Sequence, residues 1–474
     1  MEQLADINKD FAQWYQDVVY TSELADHAPV KGCMVIRPYG YALWENIKAI
    51  VDKKIKDTGH QNAAFPLLIP LSFIQKEAQH VQGFAPEIAV VTHAGGKELE
   101  EPYVVRPTSE TIIHYMFARW IKSWRDLPLK LNQWSSVVRW EMRPRPFLRT
   151  TEFFWQEGHT AHETAQEAED EALMMLNEYV DLARNYLAIP VVPGIKSESE
   201  KFAGADKTYT FEGVMQDGKA LQMGTSHLIS QTFAKAFGMQ FQDRNGQLSY
   251  PYLTSWAITT RLVGALVMVH GDQKGLVLPP KVAPIQVVII PIFKTPEQKE
   301  QVLAHAQQIM HGLTNIGIRV HIDDRDEVTP GAKFWNWELK GVPLRMDIGP
   351  RDIENKQVVL VDRLRAHKET VPFDKLITRI PEYLEYIQAL MLERAEHKRL
   401  QMWHKEAKVE FFGPKLLEHN GIYQSGWCGK RSCEEILKQQ YKATIRCLLP
   451  EQTFQTCFNC DDASISDVMI GKAY

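Results

Sequence analysis

The segment RWEMRPRPFLRTTEFFWQEGH, residues 139–159, reads as a strand end, an arginine- and proline-bearing loop, and a returning strand. SSVVRWEMR and TTEFFWQEGHT supply the two strands. Pro144 and Pro146 cannot donate to a ladder, so they mark the loop between them. Arg139 offers a planar, permanently charged fork that suits a phosphate and a carboxylate. Glu141 lies two residues along and is expected on the same strand face. Phe153 offers a ring for stacking. Arg139, Arg143, Arg145 and Arg149 fall within eleven residues. A hairpin over a bound nucleotide fits this pattern, and so does a surface hairpin with salt-bridged arginines.

Three other stretches narrow the choice. ITTRLVGALVMVHGD reads as a strand that ends at Arg261 and a helix of small residues. An arginine beside a helix N-terminus suits an anionic tail. The simpler reading is a core helix with a capping Thr. RPTSE sets Thr108 and Glu110 before an amphipathic helix, which alone is an N-cap with an acidic first turn. LQMGTSH, with Gln222, Thr225 and His227, reads as a Gly/Ser turn.

Further out, VIRPYGYALWENIKAIVDKKIKDTG reads as a turn into a long amphipathic helix, and FPLLIP as a short buried strand. ETAQEAEDEALMMLNEYVDLARNYL is a second such helix, ended by Pro190. GLVLPPKVAP interrupts any regular element and marks a boundary. IQVVIIPIF, a Thr-capped helix, IRVHIDD, KGVPLRMDIGP and KQVVLVDR then alternate as a compact α/β unit. A charged helix and a cysteine cluster close the chain. The expected limits are 1–282, 283–384 and 385–474.

Composition agrees with a folded enzyme-sized chain. The 474 residues are 45% hydrophobic and 24% charged, with net charge −5. That excludes a disordered or fibrous class and a broadly basic nucleic-acid coat. Local arginine patches still suit phosphate contacts. The N-terminus MEQLADINKDFAQWYQ lacks the apolar core of a signal peptide, and no apolar run approaches the ~20 residues of a membrane span. A cytoplasmic protein without membrane contact is expected. Five of six cysteines lie in the last 47 residues. Cys428-x4-Cys433 and Cys457-x2-Cys460 suit a tetrahedral structural zinc, with reduced thiols as the alternative. Cys447, in the apolar TIRCLLP, reads as a core residue.

Together the stretches resemble the class II aminoacyl-tRNA synthetases, and among them the prolyl enzymes of the archaeal and eukaryote-like type. VIRPYGYALWENI through FPLLIP resembles the family's motif 1, VVRWEMRPRPFLRTTEFFWQEGH its motif 2 and ITTRLVGALVMVHGD its motif 3. RPTSE resembles its proline-binding loop, and LQMGTSH its glutamine-to-histidine segment. The resemblance spans nearly the whole chain, in the family's order and spacing.

The resemblance implies an α/β (α+β) protein. It would have an antiparallel-sheet catalytic domain, an α/β anticodon-binding domain and a small α+β zinc-binding-like C-terminal domain. It implies ATP-dependent activation of L-proline, with Mg2+, and transfer to tRNA(Pro) by a homodimer. Arg139, Glu141 and Arg261 are the implied catalytic residues. Arg139 would meet the α-phosphate and the proline carboxylate. Glu141, Arg149, Thr150 and Phe153 would surround the nucleotide, and Thr259 and Arg261 would hold the γ-phosphate. Gln222 and Thr225 would contact the nucleotide or its magnesium. Thr108, Glu110 and His227 would hold proline, with Trp155, Glu157 and His159 lining its pocket. Cys428, Cys433, Cys457 and Cys460 would bind zinc, and the C-terminal Tyr474 would approach the catalytic domain. Arg345 and Arg351 lie in the region expected to face the anticodon. The interval from Glu163 to Trp256 leaves no room for an editing insertion. The rival readings are a threonyl or histidyl synthetase, and a non-catalytic paralogue that binds tRNA or regulates.

Overall fold

The computed structural model describes residues 4–80 and 88–474. Among these, eleven strands form one sheet. Its centre is antiparallel: Val191–Ile195, Lys207–Val214, Ala220–Ser230, Tyr252–Thr259, Glu152–His162 and Leu129–Val138 follow one another in space. The helix Ala165–Asp181 packs on this sheet through Ala168, Ala172, Met175, Leu176 and Tyr179. Its start is a capping box, with Thr164 Oγ1 and the Glu167 carboxylate exchanging bonds with each other's backbone. The small-residue helix Arg261–His270 is buried almost throughout, as its composition predicts.

The long helix Pro38–Asp57 begins with Pro at its first position, where the missing N–H costs nothing. It buries Leu43, Ile47, Val51 and Ile55, spaced by four, with Trp44 beside them. FPLLIP does form a strand, Leu68–Pro70, but only Ile69 is fully buried. Leu67 and Leu68 are both exposed, and Leu68–Pro70 pairs with Lys97–Val105 and Ala89–Ala94 in a three-stranded sheet.

The α/β unit is a five-stranded sheet. Val320–Ile322, Val287–Pro291 and Leu344–Ile348 are parallel, then Gln357–Asp362 and Lys368–Pro372 are antiparallel. The helix Pro296–Asn315 has the expected Thr cap: Thr295 Oγ1 accepts from Gln298 N at 3.3 Å. One helix, Leu376–Gln401, runs through residues 384 and 385, so the charged helix of the tail begins earlier than its composition suggests.

The tail does not stand apart. Trp403–Lys405, Ile422–Trp427, Ser466–Gly471 and Thr444–Leu448 extend the central sheet, joined where Leu448 meets Ile195. Cys447 is fully buried in this seam, which burial as a core residue predicts. Among the described residues no helix is long and apolar enough to cross a membrane.

Candidate active site

A cavity of about 520 Å³ lies on the central sheet, and all fifteen non-cysteine site residues named from the sequence line it. The Leu129–Val138 and Glu152–His162 strands pair as predicted, but the first ends at Val138. Arg139 continues the pairing by one bond, its N donating to Thr151 O at 2.8 Å. Glu141 therefore sits in the loop and not on the strand. The Arg145–Arg149 bridge and Phe147, at φ +59°, turn the chain before it can pair further. In the loop, Glu141 Oε1 accepts from Arg143 N at 2.9 Å and Oε2 lies 3.8 Å from Arg149 Nη1.

Arg139 is fixed at three points. Its Nε donates to Pro107 O at 2.9 Å, and its guanidinium lies 5.5 Å from the Phe153 and Trp155 ring centres. Burial lowers its pKa and the Glu110 and Glu157 charges raise it. Its side chain remains open to the cavity, so it stays a cation.

One end of the cavity is a small pocket. Thr108 Oγ1 donates to Glu110 Oε2, and Glu110 opens the helix Glu110–Trp120. The expected cap is missing: Ser109 makes no side-chain cap bond, and its Oγ accepts from Gln133 Nε2 at 2.9 Å. Gln133 Nε2 also donates to Glu157 Oε1 at 2.6 Å. His159 Nε2 donates to Glu157 Oε2 at 3.2 Å. Burial opposes a charge on His159, but the Glu157 bond and the Glu110 and Glu157 charges raise its pKa overall. Across the pocket, burial and then His159 push His227 down to about 3. Its Nδ1 and Nε2 meet Thr208 Oγ1 at 2.9 Å and Thr225 Oγ1 at 3.0 Å. Glu110 and Glu157 thus favour the charged form of His159 and of Arg139, while burial disfavours a charge on His227.

LQMGTSH is not a turn. It lies inside the Ala220–Ser230 strand, where a Cβ on Gly224 would come 2.7 Å from Phe211 Cε1. Close packing, not turning, demands the glycine. At this end Arg261 Nη1 donates to Gln222 O at 3.1 Å, Nε to Leu148 O at 3.3 Å, and its N to Thr259 Oγ1 at 3.0 Å. Burial, then Arg149 and Arg139, bring the Arg261 pKa to about 10, still charged at neutral pH. Thr150 Oγ1 is committed to Glu152 O at 2.6 Å. The sequence reading missed Phe202, Ser255 and Lys196, which also line the cavity. Phe202 lies 4.7 Å from the His227 ring and closes the small pocket. The run KSESEKFAGA carries two of the three but matches no chemical pattern by itself.

Set side by side, these groups give one cavity an anion-binding end and a small pocket with a carboxylate at its mouth. A solved structure that resembles this chain is a prolyl-tRNA synthetase from Cryptosporidium parvum, complexed with L-proline and AMP. It superposes with a TM-score of 0.93 at 42% identity over 99% of both chains. A second, complexed with halofuginone and AMPPNP, gives 0.94 at 43% over 99% of both. Proline–tRNA ligase 2 of Clostridioides difficile is 51% identical over all of this chain and 98% of its own. This chain belongs to the proline–tRNA ligases. The proline–tRNA ligase of Alkaliphilus oremlandii is equally similar, at 51% over the same shares. Family models agree: the class II tRNA synthetase core domain (G, H, P, S and T) matches residues 91–270, the anticodon-binding domain 286–383, and the prolyl-tRNA synthetase C-terminal domain 410–474. The proline–tRNA ligase fold expected from the motifs, antiparallel catalytic sheet and α/β module, is therefore the fold observed.

Two distant features complete this proline–tRNA ligase. Cys428, Cys433, Cys457 and Cys460 place their sulfurs within 4.8 Å of one another. Three of the separations are 3.7 Å, close to the roughly 3.8 Å that four sulfurs at 2.3 Å from one zinc require. None is in a disulfide. Tyr474 packs against the catalytic sheet, its OH donating to Asp217 Oδ2 at 2.7 Å and its N to Ala220 O at 3.1 Å. In the α/β unit, Arg345 is held by Asp347 at 2.9 and 3.2 Å and lies 3.8 Å from the Phe334 ring, whereas Arg351 is exposed.

Proposed function

We propose that this cavity carries out both half-reactions of the proline–tRNA ligase, and that its fifteen residues act as the sequence assigns them. The observation that carries this is the placement of Arg139 between the Glu110 pocket and the Arg261 end. Glu110, with Thr108, holds the imino nitrogen of proline, while Trp155, Phe202, His159 and His227 enclose the ring. Arg139 draws the proline carboxylate and the α-phosphate of ATP together. Two anions must meet, so fixed cations offset their repulsion and the charge that grows as they react. A carboxylate oxygen bonds to the α-phosphorus, the α–β bridge breaks, and pyrophosphate leaves toward Arg261 and Thr259. The Phe153 ring stacks on the base beside Thr150, with Glu141 and Arg149 at its edge. Gln222 offers a neutral amide oxygen beside Arg261, which suits a hard cation, and Thr225 lies on the same strand. Gln222 and Thr225 would help to hold a magnesium ion bound with the nucleotide, which would offset the phosphate charge. The 3′-terminal ribose hydroxyl of tRNA(Pro) then attacks the adenylate carbonyl and AMP leaves. No covalent enzyme intermediate is required, so positioning supplies much of the rate.

The test is proline-dependent exchange of pyrophosphate into ATP. Exchange is expected with proline and not with threonine or histidine. No exchange with proline would leave the non-catalytic reading standing.

The reading extends to the rest of the molecule. The domain limits are 1–282, 283–384 and 385–474, and the enzyme works in the cytoplasm, where its tRNA is charged. The four cysteines hold a structural zinc. The enzyme is a homodimer built on the motif 1 face. Leu67 just before the three-stranded sheet, Leu68 and Val90 on it, and Tyr115 and Trp120 on the helix Glu110–Trp120 are all exposed. Sedimentation is expected to give twice the 54.5 kDa chain mass. A monomer at micromolar concentration would count against the dimer.

A further inference from the structure

A row of polar contacts crosses the central sheet from the C-terminal segment to the Arg261 end of the cavity. Glu212, fully buried, sits at a bulge of its strand and faces Gln222 across the ladder. Its two oxygens are divided between partners. Oε1 accepts from Lys196 Nζ at 2.7 Å and Thr210 Oγ1 at 3.0 Å. Oε2 accepts from Arg446 Nε and Nη2 at 3.2 and 3.0 Å. Lys196 Nζ also donates to Arg446 O at 2.8 Å, and Lys196 itself lines the cavity. Gln222 O, one strand over, accepts from Arg261. Two cations thus hold one carboxylate, which leaves one net positive charge in a buried wall. Such a surplus is costly unless an anion meets it. In the proposed reaction the anion that enters beside this wall is the triphosphate.

We propose that Arg446 is a positioning residue for ATP: by filling Glu212 Oε2 it keeps this buried carboxylate from competing with the phosphates for Arg261. The inference rests on the reading above, that Arg261 meets the triphosphate. After burial and the Arg149 and Arg139 charges, Glu212 and Arg446 also act on Arg261 through space, the first favouring its charge and the second opposing it. Removing the Arg446 guanidinium leaves Glu212 with an unpaired oxygen, and Arg261, on which the Glu212 charge already acts, is the cation drawn to satisfy it. Lys196 borders the small pocket only through its backbone, its N donating to Thr208 O at 2.8 Å, while its side chain turns to Glu212. A packing role alone would lower the amount of folded enzyme and leave the balance between the two substrates unchanged.

The experiment is pyrophosphate exchange with ATP and proline varied separately, for the wild type, Arg446→Met, Arg446→Lys and the double variant Glu212→Gln with Arg446→Met. Wild-type exchange tests the underlying reading by itself; the variants test the inference. Arg446→Met is expected to raise KM for ATP on the order of tenfold while KM for proline stays within about twofold. Arg446→Lys keeps the cation but not the fork and should raise KM for ATP about threefold. The double variant removes the competing anion and should return KM for ATP toward the wild-type value. The inference is overturned if Arg446→Met shifts both substrates alike, or if the double variant is no better than the single one. Should Arg446→Met be insoluble, a wild-type KM for ATP in Arg446→Lys overturns it.

Discussion

Arg139→Ala is expected to reduce kcat/KM in proline-dependent pyrophosphate exchange by about 1,000-fold while leaving the fold intact. Arg139 is a cation set between the carboxylate pocket and the nucleotide end, so its loss exposes the proline carboxylate and the α-phosphate to each other's charge. Its guanidinium plane is fixed by the Pro107 carbonyl and by two aromatic rings, so little reorganisation is needed as the transition state forms. Lysine should restore little, because a point charge lacks the fork and cannot make the Nε bond to Pro107 in the same plane. The side chain is open to the cavity, so its removal leaves no closed void in the core. Exchange by the alanine variant within tenfold of the wild type would show that another group joins the two substrates.

The second large effect is expected at the cysteine cluster. Purified protein should hold about one equivalent of zinc. Cys433→Ser should lose it and make the C-terminal segment protease-sensitive. Structural zinc contributes roughly 10–16 kcal/mol of apparent binding free energy in small metal-folded units. The surrounding core is small, and the cluster is part of it: Cys433 and Cys457 are buried beside Phe412, Trp427 and Phe458. Cys447 lies outside the cluster, so Cys447→Ser should keep its zinc even though it destabilises the seam with Ile195. Less than half an equivalent of zinc after gentle handling would count against the site. Because Arg446 and Tyr474 sit on the same segment as the cluster, losing the metal should also weaken exchange activity.

Much of the site was legible because the chemistry requires charged residue types that composition cannot hide. The arginines of the 139–149 run stand out by density, whereas Arg261 and Glu110 read by themselves as a helix start and an N-cap and took their roles from the resemblance to the family. What misled was local texture. Glu141 looked like a strand residue because alternation continues past Val138, but the loop turns there. LQMGTSH looked like a turn because glycine and serine cluster, yet Gly224 is small to admit Phe211 across a ladder. Phe202, Ser255 and Lys196 carry no signal, because a lone aromatic, hydroxyl or lysine becomes a pocket wall only when distant strands meet.

The resemblance to the family supplied the roles at the site, and the sequence by itself determined the elements: hairpin, motif helices, an α/β unit after the proline-rich break, and four cysteines spaced for one metal. These follow from periodicity, turn residues and charge, which act over a few residues. Only the tertiary structure decided that the C-terminal strands continue the catalytic sheet, with Leu448 against Ile195. It alone placed Arg446 on Glu212, 234 residues away in sequence. It also divided the arginine-rich cavity into a small pocket lined by Glu110, Glu157 and two histidines and an end lined by Arg261 and Lys196. Strand order and buried ion pairing are settled by contacts between segments far apart in the chain, and no local pattern records them.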